Sequence, residues 1–266
     1  MSALRVSTQL DKSPIEVARR DLIDGLGRGL RVLEAFDDEH PRLTPSEVAQ
    51  LAALTRTAAR RYLLSLVHFG YAGTDGKHFW LLPRVLRLGQ SYLGSARLPR
   101  LVQPFIQRAS LQCGETVNLS VLDGHEVVYL ARSNPPRVVS IGYHPGARVP
   151  AHAVSAGVAL LSTCDDAMLA AWIDAHDFAA FTPHTTTDRA VFRQEVQQAR
   201  QAGYSLTDSQ LDAGLRGVAL PLRDRRGECR GAVSITMQSA AYTPRQVVER
   251  LLPLLTEAAQ SLRPLL

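Results

Sequence analysis

Cysteine and long apolar runs are both scarce in this 266-residue chain. Its three cysteines, Cys113, Cys164 and Cys229, are odd in number and widely spaced. They offer neither a disulfide framework nor paired metal ligands, so we expect three reduced, mostly buried thiols. No apolar stretch reaches the roughly 18 to 20 residues that cross a bilayer, and residues 1–21 contain no signal-peptide core. These absences predict a cytoplasmic protein that does not insert into a membrane.

Catalytic motifs are missing as well. The chain contains no G-x-S-x-G elbow, no Walker loop and no G-x-G-x-x-G fingerprint after a strand. His144 and His152 share a region with Cys113 and Cys164, but scattered pairs of this kind rarely form a thiol nucleophile. We therefore expect no catalytic residue, no metal and no cofactor.

The charge of the chain is concentrated in one segment. The length suits two domains. The chain is 45% hydrophobic and 21% charged, which is the composition of a globular protein. Residues 44–97 hold seven basic and two acidic residues, which accounts for the whole net charge of +5. Such a concentration favours phosphate neutralisation by one end of the molecule.

Two short helices with a tight turn between them are predicted within residues 44–71. Thr44 and Glu47 have the spacing of a capping box, and Pro45 occupies the first helical position, where its missing N–H costs nothing. Thr55 is suited to cap the second helix. A short helix, a turn and a helix with Arg and Thr near its start form the layout of a helix-turn-helix, whose second helix enters the DNA major groove.

The exposed face of the second helix carries the candidate DNA contacts. Arginine pairs with guanine edges, and threonine hydroxyls reach phosphates or bases. A basic helix face is also commonly just solvated, so the pattern alone leaves both interpretations open. The candidates on this helix are Thr55, Arg56, Thr57, Arg60 and Arg61.

A small β-hairpin should follow, with its turn at Asp75-Gly76. Its tip carries Lys77 and His78, which we add to the candidate DNA contacts as a wing. The predicted divisions are an N-terminal arm at 1–24, a winged helix-turn-helix at 25–82, a linker helix at 83–97 and a second domain at 98–266.

The second domain has the pattern of an α+β fold with a largely antiparallel sheet. Two strands should flank Asp123-Gly124, a hairpin signal, and a third strand is expected at 138–144. Helices should follow at 152–162, in DDAMLAAWIDAH and in FRQEVQQARQAG, then two strands in LRGVALPLRDRRGECRGAVSITM and a closing helix at 243–262.

A carboxylate ligand in this domain would need hydrogen-bond donors. Ser155 lies in the AHAVSAG segment that opens a predicted helix, whose N–H groups can meet an anion. Ser234 and Thr236, two apart on a strand, point to one face; an exposed sheet face would look the same. The candidate carboxylate forks are Arg132, Arg148 and Arg216, although such arginines commonly form surface ion pairs. His152 is better explained as a structural histidine. The residues Leu122, Tyr129 and Leu215 could form an apolar wall or simply belong to the core.

The chain resembles the IclR family of bacterial transcription regulators from Gly25 to its end. The resemblance is carried by RGLRVLEAF, LTPSEVAQLAALTRTAARRYLLSLVHFGY, PRVLRLGQSYL, VNLSVLDGHEVVYLAR, RVPAHAVSAGVALLS and GYSLTDSQLDAGLRGVALPLRDRRGECRGAVSIT. RTAARRYLLSL, HPGARVPAHAVSAG and the RPLL ending are most similar to members that control aromatic-acid breakdown through the β-ketoadipate route, the PcaR, PobR and PcaU type.

The resemblance implies an N-terminal winged helix-turn-helix, a linker helix and a GAF-like α+β effector domain, in a homodimer or homotetramer. A small organic acid of the protocatechuate, 4-hydroxybenzoate or β-ketoadipate class would bind the effector domain and change affinity for double-stranded operator DNA. The family's effector pocket falls on Ser155, Ala156, Thr207, Asp208, Leu215, Gly217, Ser234 and Thr236. Gly217 stands where some members have Cys, and Ser155 where Gly is frequent, which implies a different ligand.

Two other functions fit the residues less well. A metabolic enzyme or ligand-binding protein with a basic helical extension would bind its ligand without recognising an operator. A protein-interaction module would use the winged helix for dimerisation only. The position of the positive charge favours the DNA-binding regulator over both.

Overall fold

A computed structural model describes residues 18–37, 39–95, 97–135 and 143–266. These residues fall into two compact units, one ending at residue 95 and the other spanning residues 97–266. The predicted N-terminal arm lies largely outside the described residues. So does most of the strand predicted at 138–144; its last two residues are not in a strand.

The N-terminal unit is a winged helix-turn-helix followed by a helix. Its elements are α1 (Asp24–Glu34), α2 (Pro45–Leu51), α3 (Arg56–His68), β1 (Ala72–Thr74), β2 (Phe79–Leu81), a 3₁₀ turn (Pro83–Val85) and α4 (Leu86–Ser95). β1 and β2 pair antiparallel. Val32, Val48 and Leu63 are buried together with Phe79 of the hairpin, so the wing shares the core of the helices.

The helix starts follow the capping signals in the sequence. The Thr44 hydroxyl accepts from the backbone N–H of Glu47, and the Glu47 carboxylate accepts from the backbone N–H of Thr44, which completes the capping box. The Thr55 hydroxyl accepts from the N–H of Ala58 at the start of α3. Between the two helices Ala53 has φ 52°, a left-handed conformation that costs a residue with a Cβ free energy.

The C-terminal unit is built on an antiparallel sheet in the order β5-β4-β3-β8-β7-β6. Its strands are β3 (Thr116–Asp123), β4 (Glu126–Ser133), β5 (Arg148–Pro150), β6 (Ser205–Asp208), β7 (Leu215–Arg223) and β8 (Cys229–Gln238). Its helices are α5 (Arg97–Cys113), α6 (Ser155–Leu161), α7 (Asp166–Ala175), α8 (Arg189–Ala202), α9 (Pro244–Gln246) and α10 (Leu252–Leu262), with a π-helical segment at Val247–Leu251.

The two faces of this sheet differ in polarity because side chains alternate along a strand. Leu119, Val233 and Ile235 point to one face and are buried beneath α5 and α10. Asn118 and Ser234, which are directly opposed in the register, share the other face, against which α6 packs. The polar side chains of the sheet are therefore buried on the α6 side.

The α+β fold predicted from the sequence is confirmed, and so is the hairpin at Asp123-Gly124; α8 ends at the left-handed Gly203. Two edge strands, β5 and β6, were not predicted, because strands of three or four residues are too short to show a periodic pattern. The thiols of Cys113, Cys164 and Cys229 are half-buried rather than buried.

Candidate DNA-binding surface and effector pocket

The start of α3 presents a basic, exposed surface. Thr55, Arg56, Thr57, Arg60 and Arg61 are all exposed, whereas Ala59 and Leu63 on the opposite face are fully buried. The first turn of α3 contains no acidic residue. The positive end of the helix dipole and three arginines therefore lie together, as phosphate and base contact requires.

The tip of the wing is held in shape by Asp75. Its Oδ1 accepts from the backbone N–H groups of Lys77 (2.9 Å) and His78 (2.7 Å). These two hydrogen bonds, that of His78 first, lower the pKa of Asp75 to about 2. Arg42 lies 3.1 Å from the same carboxylate and stacks over Trp80. The exposed Lys77 thus projects from an ordered turn, beside a half-buried His78.

A pocket lies between α6 and the polar face of the sheet and encloses about 480 Å³ of space, part of it open to solvent. It is lined by Tyr129, Tyr143, Ala153, Val154, Ser155, Ala156, Thr207, Gln210, Leu211, Asp212, Leu215, Arg216, Gly217, Ser234 and Thr236. The register explains why these residues meet: Gly217 lies between Thr207 on one side and Thr236 on the other. All the predicted effector contacts except Asp208 are in this lining.

Close approach of α6 to the sheet depends on Gly217. A Cβ at this position would lie 2.6 Å from Oγ of Ser155. The Ser205 hydroxyl ties the two layers further by donating to the Ser155 carbonyl (2.5 Å). Across the described residues, the hydroxyls of Thr207, Ser234 and Thr236 donate to no protein acceptor and remain available to a ligand.

Two tyrosines form an aromatic wall of the pocket. The rings of Tyr129 and Tyr143 stack at 5.9 Å with 12° between their planes. The Tyr143 hydroxyl donates to Oδ2 of Asp212 (2.8 Å) in the β6–β7 loop. Burial raises the pKa of Tyr129 to about 12, and burial together with the Asp212 carboxylate raises the pKa of Tyr143. Both phenols therefore stay neutral and can act as donors.

The candidate arginines are placed differently from one another. The guanidinium of Arg216 is bonded within the protein: this buried arginine pairs with the exposed carboxylate of Asp208 and donates to the Ser239 and Tyr242 carbonyls. Asp208 is thereby committed within the fold rather than in the pocket lining. Arg148 forms surface ion pairs with Asp123 (2.8 Å) and Glu126 (2.7 Å).

Arg132 lies close to the mouth of the pocket. Its Nη1 donates to the carbonyl of Tyr143 (2.6 Å), and its Nε donates to Oδ1 of Asn134 (2.6 Å). Partial burial lowers the pKa of Arg132, and its charge is felt by the Tyr129 hydroxyl. Of the three candidate forks, Arg132 is the one whose guanidinium is bound to a residue of the pocket.

His152 is a structural residue. It is fully buried, its Nε2 lies 3.0 Å from the Ala179 carbonyl, and its Nδ1 lies 2.7 Å from Nε2 of His176.

In the described part of the chain, no group of three or more His, Cys, Asp or Glu side chains could hold a metal ion. No helix there is long and apolar enough to cross a membrane.

Sequence analysis did not single out Tyr143, Gln210, Leu211 or Asp212 as pocket residues. Three of them belong to the loop between β6 and β7, and Tyr143 follows a segment outside the described residues. The sequence carried only a weak signal for them, a polar loop of DSQLDAG placed just before a strand. Their role depends on the pairing of β6 with β7, which brings the loop over the pocket.

Two family models together match most of the chain. The model of the IclR helix-turn-helix domain matches residues 25–76, and that of the bacterial transcriptional regulator IclR C-terminal domain matches residues 90–263. The chain belongs to the IclR family. It is thus a transcriptional regulator whose helix-turn-helix is a DNA-binding domain and whose C-terminal unit is an effector domain.

Individual relatives are similar over nearly the full length. The p-hydroxybenzoate hydroxylase transcriptional activator of Acinetobacter baylyi is 40% identical over 94% of both chains. The Pca regulon regulatory protein of Pseudomonas putida is 35% identical over 91% of this chain and 84% of its own. The crystal structure of an IclR homolog from Microbacterium hydrocarbonoxydans, complexed with 4-hydroxybenzoate, has a TM-score of 0.73 and 27% identity, covering 90% of this chain and 97% of its own.

Proposed function

We propose that this regulator controls genes for the breakdown of aromatic acids and that a hydroxybenzoate-class carboxylate binds in its pocket. The observation that carries the proposal is the meeting, in one pocket, of the stacked Tyr129 and Tyr143 rings with the uncommitted hydroxyls of Ser234 and Thr236. Aromatic rings stack on aromatic side chains, and hydroxyl donors bind carboxylates. The names of the relatives, and the 4-hydroxybenzoate bound to one of them, support the same ligand class.

The ligand contacts follow from the chemistry of the lining. Ser155, Thr207, Ser234 and Thr236 all line the pocket, and the hydroxyls of Ser155 and Thr207 closely approach the position that a Cβ on Gly217 would occupy. These four groups would bind the polar ends of the ligand. The ring would lie against the two tyrosines, with Ala156 and Leu215 completing the apolar contact. Arg132 would add a positive charge at the mouth.

The DNA contacts lie on α3 and the wing. Arg56, Thr57 and Arg60 would reach base edges, while Thr55 and Arg61 would contact phosphates. At the wing, Lys77 and His78 would lie beside the backbone. Two such domains in a dimer would occupy operator half-sites related by the same two-fold symmetry. A ligand that binds one arrangement of the dimer better shifts the population by as much as that difference in affinity.

Operator binding is tested by fluorescence anisotropy with labelled upstream intergenic DNA. The wild-type chain should bind one segment specifically, and Arg60→Ala should abolish that preference. The matched control is Arg225→Ala, which removes an exposed arginine of the effector domain and should leave binding intact. Sequence-independent binding by the wild-type chain would overturn the proposal.

Ligand binding is tested by thermal shift and calorimetry with 4-hydroxybenzoate, protocatechuate and β-ketoadipate. A ligand at about 100 times its dissociation constant should stabilise the fold by roughly 2.7 kcal/mol. Ser234→Ala should weaken binding, whereas Ser261→Ala, on the exposed surface of α10, should not. Absence of a shift with every one of these acids, or a shift without any effect on operator affinity, would contradict an aromatic-acid regulator.

A further inference from the structure

Asn118 is a buried amide that the fold leaves half satisfied. Its side chain is 2% exposed, lies on the polar face of the sheet, and its Oδ1 has no hydrogen-bond partner. An unpaired buried polar group destabilises the fold, so native proteins rarely keep one without a reason. The nitrogen of the same amide does have a partner: Nδ2 donates to Oγ1 of Thr236 across 3.4 Å.

This hydrogen bond sets the direction of a pocket hydroxyl. A hydroxyl has one donor hydrogen and two acceptor lone pairs. Because Thr236 accepts from Asn118, its hydrogen points elsewhere, and within the described residues it finds no protein acceptor. Thr236 lines the pocket, so its hydrogen is free to be donated to a ligand oxygen.

We infer that Asn118 is a positioning residue that holds the Thr236 hydroxyl as a donor toward the carboxylate of the ligand. The inference rests on the proposed function, in which the ligand is a carboxylate. Asn118 lies outside the pocket lining, but through Thr236 it determines whether the pocket prefers a charged or a neutral ligand. Both a carboxylate and an amide carbonyl accept hydrogen bonds, but a bond to the ionised carboxylate is the stronger one, so a hydroxyl fixed as donor favours the anion.

Ser120 provides the matched control. It lies two residues from Asn118 on the same strand and the same face, it is fully buried, and its Oγ also lacks a partner. No pocket hydroxyl bonds to it. Loss of a buried polar group as such can therefore be separated from loss of the contact to Thr236.

The experiment measures dissociation constants for 4-hydroxybenzoate and for its neutral isostere 4-hydroxybenzamide by calorimetry on the full chain. Thr236→Val should weaken binding of the carboxylate about tenfold or more, and Asn118→Ala about three- to tenfold, each with a smaller effect on the amide, whose neutral carbonyl accepts the weaker hydrogen bond. Asn118→Asp, which has the same shape but only acceptors, should weaken the carboxylate still more. Ser120→Ala should leave the ratio of the two constants at the wild-type value.

The double variant Asn118→Ala with Thr236→Val decides whether the two residues act together. If Asn118 acts through Thr236, the double variant should bind the carboxylate no more weakly than Thr236→Val alone. Additive losses would overturn the inference. So would an unchanged ratio in Asn118→Asp, since that result means that Thr236 donates to residue 118 and not to the ligand. If the wild-type protein binds neither compound, the proposed ligand class is refuted. If the wild-type protein binds the carboxylate but both Asn118 variants keep its ratio of the two dissociation constants, only the role of Asn118 is refuted.

Discussion

Acid should destabilise the effector domain through one buried histidine, His176. Its ring stacks on Trp172 at 4.5 Å and on His125 at 4.9 Å. The carbonyl of Ala179 can only accept, so His152 carries its proton on Nε2 and accepts through Nδ1. His176 must then donate from its Nε2 across the 2.7 Å contact to His152. Both histidines are neutral in this arrangement; among the described residues no carboxylate hydrogen-bonds to either ring, and Asp177 acts on His152 only through its charge.

The loss of stability follows from the pKa of His176. Burial, then the neighbouring His152, His125 and Arg189, lower this pKa to about 4. In the unfolded chain a histidine has a pKa of about 6.5. The unfolded state therefore binds more protons between these values, and stability is full above about pH 6.5 and falls as the pH drops toward 4. The difference between the two pKa values sets an upper bound of roughly 3 kcal/mol on the loss of unfolding free energy. Solvent access reduces the expected loss to about 2 kcal/mol.

Urea unfolding at about pH 7.5 and about pH 4.5 measures this loss. Trp172 fluorescence reports on the domain once Trp80→Phe removes the other tryptophan of the chain. His176→Gln cannot take up the proton and should lose about 2 kcal/mol less than its parent over this range. His184→Gln, at an exposed position, should behave like the parent. Parallel losses in His176→Gln and its parent would refute the assignment.

Three further substitutions have defined outcomes. Ala53→Gly relieves the left-handed φ of 52° in the turn between α2 and α3 and should stabilise the DNA-binding domain by about 0.5 kcal/mol in a thermal melt; a lower melting temperature would contradict this. Thr44→Ala removes the capping box and should cost about 1 kcal/mol in the same melt, whereas unchanged stability would show that the cap is dispensable. Gly157→Ala places a Cβ onto the Ala151 backbone and should cost at least about 3 kcal/mol by urea unfolding, with near-native stability as the opposing result.

Local sequence alone was sufficient for features that neighbouring residues determine. The capping box at Thr44 and the cap at Thr55 depend on atoms within a few positions along the chain. The same holds for the basic face of α3, because helical periodicity decides which side chains share a face. The helix-turn-helix and the basic face of α3 could therefore be predicted before any coordinates.

Only the tertiary structure decided which polar groups are still available to a ligand. Arg132, Arg148 and Arg216 looked equivalent in the sequence, yet Asp208 binds Arg216 and surface carboxylates bind Arg148. Asn118 meets Thr236 across 118 positions of the chain. Such contacts follow from strand register, and a shift of one residue would turn each of these side chains to the opposite face of the sheet. Local sequence does not encode that register, so the pocket and its hydrogen bonds exist only in the folded chain.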